Sequence, residues 1–310
     1  MRIIYMGTPQ IAVPALESII DAGYEVVAAV TQPDRAKGRH KELVACPVKE
    51  AAAAHAIPVL QPEKARDEAF IEKLRLLRPD LIVVMAYGQI LTKALLDVPR
   101  LGCINIHASL LPMYRGAAPI SAVILNGEKE TGITTMYMDE GLDTGDMLLK
   151  EKIAIDPKET TQTLEEKIAA AGGPLIVRTL RQLEAGTLTR IPQSGETSYI
   201  KMIKKEEGEI NWNEDAVAIE RRVRAFYPWP GTYTRINGLS LKVYAADVTD
   251  AAQIEGCAAG TVISADKCGI KVACGKGFLL VTDLQLEGKK RMNAADFLRG
   301  YKVEPGEILG

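Results

Sequence analysis

The sequence predicts an α/β protein whose doubly wound, mostly parallel sheet is followed by a small all-β domain. In the first half of the chain, short apolar runs of strand length alternate with segments whose apolar residues recur at helical spacing. Beyond residue 207 the pattern changes to short β-rich runs that are separated by turn residues. A chain of 310 residues is long enough to form both domains.

The elements of the first half are defined by apolar spacing and by the residues that stop helices. The first strand ends in the turn Gly7-Thr8-Pro9, and the helix that follows stops at Gly23. Pro79 breaks a later helix, and residues 80–85 behind it are almost all apolar, as expected for a strand buried on both faces. The predicted strands are 2–6, 25–31, 57–60, 80–85, 102–107 and 131–138, and the predicted helices are 11–22, 47–55, 63–78, 118–126 and 163–185.

This alternation of strands and helices is typical of a Rossmann-like sheet, whose ligands bind outside the C-terminal ends of the strands. Tyr87, His107 and Asp143 each lie just beyond the end of a predicted strand. We therefore expect the functional site at that edge of the sheet.

The second half of the chain predicts one helix and then a small β-barrel, behind a connector of residues 186–207 that holds Pro192, Gly195 and several lysines. The predicted helix covers 215–226, and the predicted strands cover 232–236, 239–245, 260–264, 269–273 and 278–286. From these patterns we predict a sheet domain at residues 1–189, a linker at 190–207 and a barrel domain at 208–310.

Composition and charge exclude several classes of protein. Hydrophobic residues make up 47% of the chain and charged residues 25%, as in ordinary globular proteins. The net charge of -2 provides no overall attraction to nucleic acid or to a membrane surface, so contact with RNA would need a local basic patch. The N-terminus lacks the layout of a signal peptide, and no apolar run approaches the roughly 20 residues that span a bilayer. We therefore expect a cytoplasmic protein that does not enter a membrane.

Cysteine and histidine spacing predicts neither disulfides nor a metal site. The five cysteines are odd in number, scattered and without a Cys-x-x-Cys pair, which favours free thiols. The three histidines, His40, His55 and His107, lack metal-ligand spacing. The turn at Gly7-Thr8-Pro9 is not a Gly-x-Gly-x-x-Gly motif, and no Walker motif occurs, so a nicotinamide oxidoreductase and an ATP-using enzyme are both disfavoured.

The strongest chemical signal is the pair Asn105 and His107 at the end of a predicted strand. Residues i and i+2 of a strand point to the same face, so the amide and the imidazole are expected side by side. Such a pair, placed where the chain enters a loop with proline and glycine, suits an acyl-transfer site. A structural histidine that only satisfies local hydrogen bonds is the plain alternative.

An acidic loop at residues 138–146 supplies the third candidate residue, Asp143. The order of its carboxylates does not fit an EF-hand calcium loop, and a solvated turn is the simplest interpretation. The more specific interpretation is that a carboxylate of this loop reaches the imidazole of His107 and fixes the tautomer of the ring.

Further motifs accompany Asn105, His107 and Asp143 along the chain. They are Ser109-Leu110-Leu111-Pro112, Arg115-Gly116 and Asp143-Thr144-Gly145-Asp146, with Gly7-Thr8-Pro9, Thr31-Gln32-Pro33-Asp34-Arg35, Gly38-Arg39, Ala86-Tyr87-Gly88 and Tyr227-Pro228-Trp229-Pro230-Gly231. Together with Asn105-Ile106-His107, these motifs make the chain resemble the folate-dependent formyltransferases over essentially its whole length, and most closely those members that act on a charged tRNA. Ala108 stands where a glycine is common in the family.

The resemblance implies transfer of the formyl group of 10-formyltetrahydrofolate to the α-amino group of methionyl initiator tRNA, without a metal. Attack by the amine places negative charge on the formyl oxygen, and Asn105 can donate a hydrogen bond to that oxygen. His107 can donate a second hydrogen bond or a proton, and Asp143 can position a water for proton transfer. We therefore expect Asn105, His107 and Asp143 to be the catalytic residues.

The resemblance also assigns binding residues. The barrel is expected to be an OB-like module that grips RNA, and the basic segment of residues 34–41 is expected to engage the acceptor end of the tRNA. We expect a monomer. The folate-binding residues implied are Ser109, Leu110, Leu111, Pro112, Met85, Ala86, Tyr87, Gly88 and Ile90, and the tRNA-binding residues implied are Arg39, Lys37, Lys204 and Lys205.

Three other functions remain open at this stage. A formyltransferase that acts on an aminosugar nucleotide would share Asn105, His107 and the loop that follows them. An enzyme that formylates glycinamide ribonucleotide would not need a further domain of about 100 residues. A non-catalytic RNA-binding protein on the same scaffold would not need to retain all three polar residues.

Overall fold

The computed structural model describes residues 1–37, 42–249 and 257–310, and these form two compact units. The first unit comprises Met1–Pro119, Glu130–Ala154 and Glu165–Ile200. The second unit comprises Ile120–Lys129, Ile155–Leu164 and Lys201–Gly310.

A seven-stranded sheet forms the centre of the first unit, and its strand order along the sheet is β7-β6-β5-β4-β1-β2-β3. The first five strands of this sheet run parallel, whereas β6 runs antiparallel to β5 and β7 antiparallel to β6. The strands are Arg2–Gly7 (β1), Glu25–Val30 (β2), Val59–Leu60 (β3), Leu81–Met85 (β4), Cys103–His107 (β5), Glu130–Tyr137 (β6) and Met147–Ala154 (β7).

The predicted mostly parallel, doubly wound sheet is confirmed. Strand β4 is buried along its whole length, because helices of a parallel sheet cover both faces. The sequence patterns gave no strand at residues 147–154, where β7 forms the edge of the sheet. Outside its first two residues, β7 exposes alternate residues to solvent, and edge strands need little apolar patterning.

The helices occur close to where the sequence predicts them, with two short additions at Lys93–Leu96 and Ala294–Gly300. In the first unit, Gly173 allows the long sixth helix to lie against the first helix, because an added Cβ would lie 2.1 Å from Oγ of Ser18. The helices are Val13–Asp21 (α1), Pro47–Ala54 (α2), Glu68–Leu76 (α3), Lys93–Leu96 (α4), Pro119–Asn126 (α5), Thr161–Glu184 (α6), Ala216–Ala225 (α7) and Ala294–Gly300 (α8).

The second unit contains a six-stranded antiparallel sheet, in the part of the chain where the sequence predicts a small β-barrel. The end of the chain is hydrogen-bonded to both edge strands of this sheet: the amide of Gly310 donates to the carbonyl of Arg235, and that of Val262 donates to the carbonyl of Glu307. The strands are Thr232–Ile236 (β8), Leu239–Thr249 (β9), Val262–Asp266 (β10), Gly269–Ala273 (β11), Phe278–Leu286 (β12) and Met292–Asn293 (β13), in the order β8-β9-β12-β11-β10 with β13 beside β12.

Apolar side chains of the second sheet pack against α7 and α8, with Trp212 and Phe297 among the large residues of that core. Within the described parts of the chain, no helix combines the length and the apolar character that crossing a membrane requires.

Candidate active site

Strand β5 carries both Asn105 and His107, and the backbone of each residue pairs with a neighbouring strand of the sheet. Asn105 lies opposite Val84 of β4 and Met136 of β6, and His107 lies opposite Thr134 of β6. The side chain of His107 is only 6% exposed, whereas Asn105 is partly exposed. The buried position of β5 therefore presents both polar residues from a rigid strand.

Both ring nitrogens of His107 face oxygen atoms. Nε2 lies 3.0 Å from the carbonyl oxygen of Tyr114, and Nδ1 lies 3.7 Å from Oδ1 of Asp143. The second carboxylate oxygen of Asp143 accepts a hydrogen bond of 2.8 Å from the amide of Gly116. The carbonyl can only accept, so Nε2 donates to it, and Asp143 faces the nitrogen that remains.

The amide of Asn105 is available to a ligand. Within the described residues, no hydrogen bond of its side chain to another protein group occurs, although its backbone is part of the sheet. An amide donor that is held by a strand and has no protein partner is suited to a developing oxyanion.

Three non-glycine residues around this site have left-handed backbone conformations: Ala86 (φ 49°), Tyr114 (φ 60°) and Asp143 (φ 54°). Each such residue costs about 1–3 kcal/mol, and the surrounding hydrogen bonds must hold it in place. Strained residues of this kind concentrate at functional sites, and here two of the three provide the oxygens that face His107.

Thr134 of β6 holds the loop that follows β5 by hydrogen bonds. The Thr134 hydroxyl donates to the carbonyl of Ser109 at 2.7 Å and accepts from the amide of Leu111 at 3.2 Å. Lys150 of β7 also donates to the carbonyl of Leu111, and burial lowers the pKa of this lysine. The backbone of this loop is therefore fixed by two strands of the sheet.

The side chains of this loop divide between the protein interior and the surface. Ser109 is fully buried and its hydroxyl donates to the carbonyl of Met113, and Leu111 is also buried. Leu110 lies over Gly132, where an added Cβ would be 2.5 Å from its Cδ2. Of the four residues of this loop that are predicted to bind folate, Leu110 and Pro112 are partly exposed.

The loop that follows β4 is held by its backbone as well. The carbonyl of Tyr87 accepts hydrogen bonds from Thr8 and from Gln32, while its ring packs in the core and burial raises its pKa to about 12. Met85 is buried, Gly88 has φ 90°, and Ile90 is 84% exposed. Of the residues predicted to bind folate here, Ile90 offers an exposed apolar side chain, whereas the ring of Tyr87 is buried and its carbonyl already accepts two hydrogen bonds.

An open cavity of about 580 Å³ lies between the stretch that leads into β5 and the stretch that follows β6. It is lined by Leu96 and Cys103 on one side and by Met138, Asp139 and Glu140 on the other. Cys103 stands two residues before Asn105 on the same strand. Burial raises the pKa of its thiol to about 12, so Cys103 provides an apolar wall and no thiolate nucleophile.

Comparison with known proteins assigns the family. The profile of the formyl transferase family matches residues 1–180, and that of the formyl transferase C-terminal domain matches residues 202–302. The chain belongs to the formyl transferase family.

Individual formyl transferases are similar to this chain over its full length. The methionyl-tRNA formyltransferase of Lachnospira eligens is 50% identical over 314 residues, which cover 100% of this chain and 100% of the relative. That of Citrifermentans bemidjiense is 52% identical over 311 residues, covering 100% of this chain and 96% of the relative.

A solved structure shows the same fold at much lower identity. The crystal structure of HypX from Aquifex aeolicus in complex with tetrahydrofolic acid superimposes with a TM-score of 0.66 and 15% identity. The match covers 100% of this chain and 50% of that one, so this formyl transferase spans about half the length of HypX.

The predicted tRNA-binding residues fall in two different parts of the chain. Arg39 lies outside the described residues, and the backbone of Lys37 ends the short strand Arg35–Lys37. Lys204 and Lys205 are exposed residues of the second unit, where Lys205 opens a turn of 3-10 helix. In the described residues of this formyl transferase, no group of three or more His, Cys, Asp or Glu could hold a metal ion.

The sequence patterns missed the residues that hold the loops around the catalytic candidates. Gln193 of the connector, Arg115 and Thr134 all contact the loops around His107 by hydrogen bonds. Arg115 belongs to the motif that carried the resemblance, and this was the one available signal. Gln193 and Thr134 have no local pattern, because their roles depend on contacts with residues distant in the sequence.

Proposed function

We propose that this chain transfers the formyl group of 10-formyltetrahydrofolate to the α-amino group of methionyl initiator tRNA, giving N-formylmethionyl-tRNA for translation initiation. The observation that carries the proposal is that the geometry of the site suits the activity for which the most similar proteins are named. Proteins about 50% identical along the whole chain are methionyl-tRNA formyltransferases, and this chain presents an unpartnered Asn105 amide beside the pair His107 and Asp143. The acceptor is a translation substrate, and we place the reaction in the cytoplasm.

The three residues divide the work of the reaction. The new bond joins the amine nitrogen to the formyl carbon, and the bond from that carbon to the folate nitrogen breaks. Asn105 donates a hydrogen bond to the formyl oxygen as charge builds on it, which typically contributes a few kcal/mol. His107 lies on the same strand. Its Nδ1 is 3.7 Å from Asp143, which is too far for a hydrogen bond, so the protonated ring can use this nitrogen to donate to the same oxygen or to deliver the proton that the folate nitrogen needs.

Asp143 supports the proton transfer. When the ring of His107 is protonated, the carboxylate at 3.7 Å from Nδ1 stabilises its charge. The amine loses a proton as the folate nitrogen gains one, so the reaction needs no external acid. The carboxylate can hold the water that carries this proton.

We propose that the heteroaromatic end of the folate binds at the loops that follow β4 and β5, where these parallel strands end beside Asn105 and His107. The proposed contacts are the main chain and accessible side chains of Ser109, Leu110, Leu111 and Pro112, together with Met85, Ala86, Tyr87, Gly88 and Ile90.

The domain roles are also part of the proposal. Residues 1–189 hold the catalytic site, residues 190–207 link the domains, and residues 208–310 form an OB-like domain that grips the tRNA. Arg39 and Lys37 are proposed to contact the acceptor end, and Lys204 and Lys205 the phosphates.

A transfer assay with competing acceptors tests the function. The purified protein is incubated with 10-formyltetrahydrofolate, methionyl initiator tRNA and an aminosugar nucleotide, and both acceptors are analysed by mass spectrometry. We expect formylation of the tRNA alone, and a loss of about 10²–10³-fold in kcat for Asn105→Ala. The variant His55→Ala, at an exposed histidine, serves as the control for His107→Ala. Formylation of the sugar, or near-normal turnover by folded Asn105→Ala and His107→Ala, would overturn the proposal.

A further inference from the structure

The side chain of Gln193 forms four hydrogen bonds, which join Arg115 to the turn that contains Asp143. Its Oε1 accepts from Nε and Nη2 of Arg115 at 3.0 and 2.7 Å, and its Nε2 donates to the carbonyls of Asp143 and Gly145, both at 2.8 Å. Arginine can only donate and a carbonyl can only accept, so the orientation of the amide is fixed. Both donors and both acceptor sites of this amide are therefore in use.

The turn that Gln193 holds is the one that places the catalytic carboxylate. Asp143 has a left-handed backbone, and Gly145 lies so close to β6 that an added Cβ would be 1.9 Å from the carbonyl of Tyr137. The carboxylate of Asp143 is held by the amide of Gly116, and its backbone carbonyl is held by Gln193. Removing the second anchor would leave a strained residue with one constraint.

The same connector also holds the other oxygen that faces His107. The amide of Tyr114 donates to the hydroxyl of Ser198, the amide of Arg115 donates to the carbonyl of Ser198, and the amide of Ala117 donates to the carbonyl of Ile200. The carbonyl of Tyr114, which accepts from His107, is part of this stretch. Residues 193–200 thus support both partners of the imidazole.

Arg115 strengthens the hydrogen bonds that Gln193 donates to this turn. Its guanidinium is only 8% exposed and, within the described residues, has no carboxylate at ion-pair distance, so its charge acts on neutral partners. Tyr199 holds the other side of the guanidinium through its hydroxyl at 2.9 Å. Two charged donors on Oε1 polarise the amide of Gln193 and make its N–H groups better donors to the turn.

We propose that Gln193 is a positioning residue that sets the place of Asp143 beside His107, and that the start of the linker is therefore part of the active site. This rests on the proposed function, because it assigns Gln193 a role through the catalytic pair. A displacement of about 1 Å at a catalytic group can reduce the rate by about 10²-fold, so the expected effect is on kcat.

The variant Gln193→Glu isolates this contact. It keeps an acceptor for Arg115 and replaces the two N–H donors by an oxygen that faces the carbonyls of Asp143 and Gly145. We expect kcat to fall by about 10–100-fold while KM for methionyl-tRNA stays within about threefold. Gln162→Glu makes the same change at an exposed helix position and is the matched control. Gln193→Ala removes the anchor without adding charge and serves as the second variant, with thermal unfolding recorded for each protein.

A double-mutant cycle separates positioning from a general structural role. In the Asp143→Asn background, Gln193→Ala should reduce kcat less than about twofold, because the carboxylate that it places is already absent. An equal loss in both backgrounds, or a single variant with kcat within twofold of the parent, would overturn the inference. Failure of the proposed function is seen separately, because the parent and Gln162→Glu would then form no N-formylmethionyl-tRNA.

Discussion

The charge of Asp143 is the feature of the site whose contribution can be estimated from the structure. The variant Asp143→Asn removes the negative charge and keeps an oxygen that can accept from the amide of Gly116. The turn is thereby retained, and the change concerns the electrostatic interaction with His107 alone. The separation of 3.7 Å between Oδ1 and Nδ1 sets the size of that interaction.

At an effective dielectric constant of about 20, two unit charges at this separation interact by about 4 kcal/mol. The side chains are 6% and 14% exposed, so solvent screens the interaction only in part. The interaction exists only while the ring is protonated, and its loss therefore raises the barrier for proton transfer. Since each 1.36 kcal/mol corresponds to a tenfold change in rate, we expect kcat to fall by about 10²–10³-fold.

The assay is single-turnover formyl transfer to methionyl-tRNA with saturating 10-formyltetrahydrofolate. Asp146→Asn is the control, because that carboxylate belongs to the same loop but pairs with Arg190 at 2.9 Å. The control should retain more than about a third of the parent rate, since its ion pair is partly exposed. If Asp143→Asn also retained a third of the parent rate, the electrostatic role of this carboxylate would be refuted.

Three further predictions concern the scaffold of the first unit. Gly132→Ala should reduce the free energy of unfolding by about 1–3 kcal/mol in denaturant titrations, because its Cβ would lie 2.2 Å from the carbonyl of Glu151; an unchanged midpoint would contradict the described packing. Thr134→Val should raise KM for the folate and cost about 1–3 kcal/mol of stability, because two main-chain groups of the loop after β5 lose their partner; Thr134→Ser should restore both. The amide of Arg2 and the side chain of Arg100 donate hydrogen bonds that hold the pKa of Asp80 below its usual range. Its contribution to stability is present above the ordinary Asp value and is lost as the pH falls through the folded value, so Asp80→Asn should be less stable than the parent at neutral pH, with a difference that shrinks below about pH 4 in acid-unfolding curves.

The sequence patterns anticipated the architecture of the first unit because local spacing decides it. The all-apolar run at residues 81–85 can only be a strand covered on both faces, and it forms β4 in the middle of the sheet. The edge strand β7 was missed, since three of its eight residues are exposed and the charged run Lys150-Glu151-Lys152 interrupts its apolar residues. The placement of Asn105 and His107 on one face of one strand also follows from spacing, because residues i and i+2 of a strand point to the same face.

Contacts between residues that are far apart in the sequence could be described only from the tertiary structure. That a carboxylate of the loop 138–146 reaches His107 was one interpretation of the sequence, but the distance between Asp143 and His107 depends on how β6 and the turn that follows it are placed beside β5. The catalytic roles of these residues stay predictions until the variants are measured.

By itself, the sequence determined most of the strand and helix order, the parallel part of the sheet, the family to which the chain belongs, and the strand that carries the amide and the imidazole. Only the tertiary structure decided that Gln193, in a stretch interpreted as a plain linker, grips the turn of Asp143 and the guanidinium of Arg115. The physical reason is that periodicity reports which face of an element is buried, whereas a hydrogen bond between distant residues depends on strand register and on the path of the loops, neither of which leaves a local pattern.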